Sequence, residues 1–300
     1  MNEQAARSHP WAPITLGFFA AAVIWCITLV RQGWRPIGDE AAIAAISAGI
    51  LDGNYPWLGM RSTGFTDVPG LQLYHPGPIQ FYLLSLSQAL TDFHPGGLLF
   101  ASALLFVLLV GLGLRGSWLA ARWWGLGPAT AAFAFLAFGA QDVTIQLSNP
   151  LPTIVALPAM TMSAWAVACG RKNSFTAFVF CATIAAQLHI ATLPYALLMT
   201  FTLLIMMWRK RSLIPARASL YRGAALFLVM WLGPILDIIF ARPSNPSEFL
   251  RYLTSGTATT SITAISGVVP VLFYVVIIGL AFLTVKKIRV RPAVDGSLDS

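Results

Sequence analysis

Charged residues are scarce in this sequence, and their scarcity argues against a soluble protein. Asp, Glu, Lys and Arg make up 10% of the 300 residues, and hydrophobic residues make up 57%. A soluble domain carries about 25% charged residues. Several apolar runs approach the roughly 20 residues that a helix needs to cross a bilayer. The composition therefore predicts an all-α, polytopic integral membrane protein.

Cysteine is also rare, and the few cysteines point to no metal site. Cys26, Cys169 and Cys181 are odd in number, lie in apolar segments and lack the spacing of metal ligands. We interpret them as small core residues. The sequence also lacks a phosphate-binding P-loop, a zinc-protease motif and a Gly-x-Ser-x-Gly motif.

The apolar runs predict eight transmembrane spans within one membrane module of residues 1–290, followed by a polar cytoplasmic tail of residues 291–300. The first run is interpreted as a retained signal anchor, because no small-residue cleavage site follows it. The fifth and sixth runs form either a tight helical hairpin or one broken element. The eight runs are residues 13–30, 97–114, 125–141, 151–169, 174–189, 191–208, 223–240 and 264–285.

Lys and Arg residues predict the orientation of this module. With both termini in the cytoplasm, fourteen of the nineteen Lys and Arg residues lie on the inner side. Most acidic residues then lie on the outer side or at its boundary. The net charge of +8 is therefore explained by topology, and no nucleic-acid partner is expected.

Two long segments lie on the predicted outer side, at residues 31–96 and 241–263. Within the first, we predict a short helix over 39–51 and a second over 78–91. Residues 52–74 between them are rich in Gly, Pro and Asp and predict a loop. The second helix is too short to span a bilayer, so we expect it to lie in the membrane interface.

The first external loop opens with the acidic motif Asp39-Glu40-Ala41. Adjacent residues of a helix point about 100° apart, so the two carboxylates are not expected to share one role. One can face a cavity while the other caps the helix or forms a pair. In the purely structural alternative, Asp39 only caps the helix, where the helix dipole stabilises a carboxylate.

Uncharged polar residues and one further acid also gather toward the predicted outer ends of the spans. Polar groups at membrane depth are costly and usually face a cavity. We therefore expect a cavity near the outer leaflet, although His189 also fits an ordinary polar contact between helices. The expected cavity-lining residues are Gln141, Asp142, Asn149 and His189.

The loop closes with His75-Pro76-Gly77-Pro78, which allows two interpretations. The N–H groups of the turn that follows could bind a phosphate, or the motif forms a rigid turn that docks a helix. The outer arginines Arg35, Arg61 and Arg242 allow two interpretations as well. Each guanidinium could pair with a phosphate, or it could contact lipid headgroups.

Together these motifs resemble the GT-C superfamily of membrane glycosyltransferases, especially protein O-mannosyltransferases and aminoarabinose transferases. The resemblance rests on Asp39-Glu40-Ala41 after the first span and on the turn and aromatic helix from His75 to Leu84. Basic Arg115 and Arg122 follow the second span, as in those relatives. The resemblance implies a bacterial-type cytoplasmic membrane and a site on its outer face.

The resemblance also implies a mechanism, in which a polyprenyl-phosphate sugar donates its sugar to an acceptor hydroxyl with inversion. Asp39 matches the family's base, and Glu40 would assist it. His75, Arg35, Arg61 and Arg242 become candidates to bind the phosphate. Some members of the superfamily use a divalent cation, but this sequence has no clear ligand set for one. Membrane lipids are the other expected partners.

Two alternatives remain beside the transferase. Family members commonly have more spans and a soluble external domain, so the chain could be a truncated enzyme. It could instead be a non-catalytic subunit that keeps a GT-C-like fold within a larger protein complex. The second alternative is a lipid or solute transporter, which would predict matching broken helices in two halves of the chain. No such symmetry is evident in the sequence.

Overall fold

The described residues of the computed structural model, 9–62, 69–139, 147–148 and 150–255, are mostly helical and contain no β-strand beyond one isolated bridge. The predicted eighth span and the polar tail lie outside them. The eleven α-helices of the described residues are α1 (Trp11–Arg31), α2 (Asp39–Gly49), α3 (Ile79–Leu90), α4 (Pro95–Ala121), α5 (Trp123–Ala134), α6 (Pro150–Ala168), α7 (Phe175–Leu188), α8 (Leu193–Arg209), α9 (Arg217–Met230), α10 (Leu232–Phe240) and α11 (Asn245–Thr254).

Among the described residues, three helical segments are long and apolar enough to cross a membrane, and the bent pair α9–α10 raises the number to four if it counts as one span. The three are α1, α4 and the segment Ile190–Arg209, in which a 3-10 turn extends α8 at its start. The all-helical class with membrane-spanning helices is therefore supported. The full set of eight spans stays a prediction.

Helix α4 lies at the centre of the fold, between α1 and α6, and α6 in turn packs on α7. Glycines let these helices approach closely. A Cβ on Gly113 would lie 2.6 Å from the Phe133 ring, and one on Gly116 would lie 2.7 Å from the Met162 carbonyl oxygen. Small residues at such contacts are typical of helix packing in membranes.

The run at 223–240, predicted as one continuous span, is bent by 53° between α9 and α10. Pro234 explains the bend, because it has no N–H to donate to the carbonyl of Met230 one turn earlier. That carbonyl instead accepts a hydrogen bond from Gln187 Nε2 at 2.6 Å. A buried side chain of α7 therefore satisfies the backbone group that the proline leaves unpaired.

The two short helices of the first external loop pack together against the start of α4. Helix α2 ends at Gly49, two residues before the predicted end, and α3 begins one residue after Pro78. Ile43, Phe81, Leu84 and Leu98 form a small apolar cluster between the three helices. The location of these helices at a membrane interface stays a prediction.

Candidate functional site

The acidic pair begins α2, and its two carboxylates have different surroundings. Asp39 is exposed, and its carboxylate has no hydrogen bond or ion pair with any part of the chain that the structure describes. Glu40 is half-buried, and its Oε1 accepts a hydrogen bond from the Leu147 N–H at 3.3 Å. Gly38 occupies the N-cap position, and no side chain caps the helix by a hydrogen bond. Asp39 is therefore accessible to a ligand, whereas Glu40 is engaged.

Two buried glutamines of α3 hold the acidic helix in place. Gln80 Nε2 donates to the Leu147 carbonyl oxygen at 2.6 Å, so the backbone of this residue is bound by both Glu40 and Gln80. Gln88 Nε2 donates to the Ala44 carbonyl oxygen of α2 at 3.1 Å. These contacts fix the position of α2 and hence of the backbone that carries Asp39.

The buried side chain of His75 connects the external loop to the turn between α7 and α8. Its Nδ1 accepts a hydrogen bond from the Ile190 N–H at 3.2 Å, and its ring lies 4.8 Å from the His189 ring. Burial, and secondarily the nearby His189 imidazole, lowers the pKa of His75 to about 4. His75 is therefore neutral at pH 7, with its proton on Nε2.

The rest of the His-Pro-Gly-Pro motif and the loop before it contact the end of α7 and the bend between α9 and α10. The Gly77 N–H donates to the Gln187 carbonyl oxygen at 3.3 Å. A Cβ on Gly77 would overlap the Gln187 side chain, so only glycine fits this contact. At the second break, a Cβ on Gly233 would lie 2.5 Å from the Trp57 carbonyl oxygen. The motif is therefore in contact with the end of α7, and both of its predicted interpretations stay predictions.

Helix α11, in the second predicted outer segment, is bonded to the same loop. The Asn245 side-chain amide pairs with the backbone of Tyr74, accepting from its N–H at 2.9 Å and donating to its carbonyl oxygen at 3.0 Å. Glu248 Oε2 accepts from the Gln72 N–H at 3.1 Å, and its Oε1 lies 3.6 Å from Arg251. The two predicted outer segments thus lie on the same side of the molecule.

The three arginines proposed for phosphate binding lie in different places. Arg35 and Arg242 are exposed, and each donates to the carbonyl of the preceding residue. Arg61 is exposed and donates to the Leu71 carbonyl oxygen at 3.1 Å across the loop. Each guanidinium keeps further donors for a ligand.

The expected cavity-lining residues are described only in part. Gln141, Asp142 and Asn149 lie outside the described residues. His189 is half-buried beside His75, and its Nδ1 accepts from the Ala191 N–H at 3.3 Å. Within the described ranges, no group of three or more His, Cys, Asp or Glu side chains is placed to hold a metal ion.

Several residues that shape this region were missing from the predicted site. They are Gln80, Gln187, Asn245 and Glu248. The glutamines stood out as polar residues within apolar helices, which is itself a signal of a buried contact. Asn245 and Glu248 are spaced three residues apart and share one helix face, but their partners on the loop lie more than 170 residues away.

No protein-family model matches the sequence, and comparisons with curated proteins and with solved structures found no similar protein.

Proposed function

We propose that this chain is a membrane glycosyltransferase that moves a sugar from a polyprenyl-phosphate donor to an acceptor hydroxyl. The reaction would take place at the outer face of a bacterial-type cytoplasmic membrane. Two lines of support are the resemblance of the loop motifs to GT-C enzymes and the presence of helices able to cross a membrane. A lipid-linked donor reaches such a site from within the bilayer.

The observation that carries the proposal is the different state of the two adjacent carboxylates. A general base must be within reach of the hydroxyl whose proton it takes. Asp39 is exposed, has no partner among the described residues and lies in the first turn of α2. Glu40 is already bonded to the Leu147 backbone. We therefore assign the base to Asp39 and a positioning role to Glu40.

The proposed step is a single displacement at the anomeric carbon of the donor sugar. The Asp39 carboxylate takes the proton of the acceptor hydroxyl, and the oxygen of that hydroxyl forms a bond to the anomeric carbon. The bond from that carbon to the phosphate oxygen breaks, and polyprenyl phosphate leaves with the electron pair. Attack opposite to the leaving group inverts the configuration.

The negative charge that builds on the leaving phosphate requires cationic donors. Arg35 is four residues before Asp39 in the chain, and Arg61 is carried by the same loop. Each guanidinium donates one hydrogen bond to a nearby carbonyl oxygen and has further N–H groups that can donate to phosphate oxygens. His75 is buried and neutral, so we assign it to holding the loop rather than to binding the phosphate.

Two substitutions test the base. Asp39→Asn removes the group that takes the proton, so we expect transfer to fall by about 100-fold or more. Asp52→Asn removes an exposed carboxylate of the same loop that has no assigned role, so it should retain full activity and serves as the matched control. Purified variants in lipid nanodiscs would receive polyprenyl-phosphate mannose or arabinose together with a membrane extract as the source of acceptor hydroxyls, and mass spectrometry would measure the release of polyprenyl phosphate.

Full activity of a folded Asp39→Asn protein would refute the assigned base. A wild-type protein that binds the donor lipid without turnover, and that copurifies with a larger complex, would favour the non-catalytic subunit. Movement of intact lipid between leaflets without release of sugar would favour the transporter.

A further inference from the structure

A polar cavity of ≈ 470 Å³ lies between the external loop and the helices α10 and α11. Sites for small molecules are typically about 300–1,000 Å³ in volume. The polar residues that line it include Gln72, Tyr74, Asp237, Arg242, Asn245 and Glu248. None of the roles assigned to Asp39 or His75 uses this cavity.

Asp237 provides a hydrogen-bond acceptor in the wall of the cavity. Its side chain is 5% exposed, and its Oδ2 accepts from the Asn245 N–H at 2.8 Å. The second oxygen, Oδ1, has no hydrogen-bond partner within the described part of the chain. Oδ1 is not one of the fully enclosed unpaired atoms of the described residues, so it is reachable from the cavity and can accept a hydrogen bond from a ligand.

Arg242 provides donors at the rim of the same cavity. Its NH1 donates to the Ala241 carbonyl oxygen at 2.6 Å, which holds the planar guanidinium against the end of α10. Its Nε and NH2 make no hydrogen bond to the described residues. An acceptor on a ligand can therefore bind these two groups side by side.

The charges that line the cavity balance. Asp237 and Glu248 contribute two carboxylates to the lining, and Arg242 and Arg251 contribute two guanidinium groups; Glu248 and Arg251 are 3.6 Å apart as a pair. A free phosphate would be repelled by the carboxylates, and an amine by the guanidinium groups. A neutral ligand with several hydroxyls satisfies both kinds of group, since each hydroxyl both donates and accepts.

We infer that this cavity binds a neutral carbohydrate of one or two sugar units, whose hydroxyls donate to Asp237 Oδ1 and accept from Arg242. In the proposed reaction it holds the acceptor glycan. That role rests on the proposed transferase function, whereas carbohydrate binding itself does not.

Binding of simple saccharides to the whole protein in lipid nanodiscs tests this inference, and nanodiscs avoid detergents with sugar headgroups. Saturation-transfer NMR would examine methyl glycosides and disaccharides of mannose, galactose, glucose and arabinose. We expect at least one to bind, and Arg242→Gln to weaken its binding about tenfold or more. Asp237→Asn should do the same while keeping an acceptor for the Asn245 N–H. Arg217→Gln, an exposed arginine outside the cavity, is the matched control.

Three results would overturn the inference. One is that no saccharide binds to the folded protein. The second is that saccharide binding is unchanged in Arg242→Gln. The third is that inorganic phosphate binds to the protein and that none of the sugars competes with it. Asp39→Asn should leave saccharide binding intact. If that variant also keeps full transfer, the assigned base fails and the carbohydrate site still stands.

Discussion

At the scale of single residues, His75 shows how one neutral side chain joins two distant parts of the chain. Its Nδ1 accepts the Ile190 N–H, 115 residues away in sequence, and its side chain is 4% exposed. A protonated imidazole could not accept this hydrogen bond, and its charge would be buried beside the His189 ring. The contact therefore requires the neutral form.

We expect the stability of the protein to fall as the pH drops from about 6.5 towards 4. The pKa of His75 is about 4 in the folded protein, and a histidine in an unfolded chain has a pKa of about 6.5. Between these values the unfolded state binds the proton more strongly, so acid favours unfolding. The loss is at most on the order of 3 kcal/mol. Melting temperatures across this range would measure it.

His75→Asn keeps an acceptor for the Ile190 N–H but cannot titrate, so its melting temperature should depend less on pH. His94→Asn is the matched control, because His94 is exposed and its Nδ1 likewise accepts a backbone N–H, from Gly96 at 3.1 Å. An unchanged pH dependence in His75→Asn would show that this imidazole does not determine the acid sensitivity.

The acidic pair shows what can be predicted at this scale and what cannot. Helical geometry alone predicts that Asp39 and Glu40 point in different directions. Which of them is engaged depends on the Leu147 N–H, which is 107 residues later in the chain. No local pattern reports that contact. Whether the Asp39 side chain caps α2 is also not evident from the local sequence. In the structure Gly38 is the N-cap, and no side chain caps α2 by a hydrogen bond.

At the scale of elements, the external loop contacts the turn between α7 and α8 and the bend between α9 and α10. Hydropathy predicts 223–240 as one continuous span, because it averages over a window and ignores the missing N–H of a single proline. The bend after Met230 and the turn after α7 bring backbone groups to the loop. Gly77 and Gly233 are two positions where these contacts leave no room for a side chain.

Gly77→Ala should disturb this docking, because the added methyl would overlap the buried Gln187 side chain. Inserting a methyl into a packed contact typically costs about 1–3 kcal/mol. We expect a lower melting temperature and faster cleavage by trypsin after the exposed Arg61. Limited proteolysis followed by mass spectrometry measures the second effect.

Gly127→Ala is the control, since nothing lies within 4 Å of the position that its Cβ would take. Alanine also favours a helix interior over glycine, so this variant should be as stable as the wild type or slightly more so. Equal effects of both substitutions would contradict a specific docking role for Gly77.

At the scale of the whole molecule, the two ends differ in character. One end carries the external loop and α11, joined through Asn245 and Glu248. At the other end, Arg171 Nε donates to the Leu119 carbonyl oxygen at 2.9 Å. Exposed aromatic residues adjoin basic residues in the sequence there, as is typical of a membrane interface. They are Trp123, Trp124, Trp208 and Tyr221.

The predicted orientation places the loop end outside the cell and the basic end inside. In a background without the native cysteines, Asp52→Cys and Ser247→Cys should react with a membrane-impermeant maleimide in intact cells. Lys210→Cys should react only after permeabilisation, because it lies at the basic end. All three positions are exposed in the structure, so reactivity reports the side of the membrane. The reverse pattern of labelling would place the external loop, and with it the proposed site, on the inner side of the membrane.

The most direct test of the central claim is a cryo-electron microscopy map of Asp39→Asn protein incubated with polyprenyl-phosphate sugar. This variant should bind the donor without consuming it. The account predicts an intact donor with its sugar beside position 39 and its phosphate within hydrogen-bond distance of Arg35 or Arg61. A donor bound at the basic end of the helices, or a phosphate remote from the external loop, would contradict it.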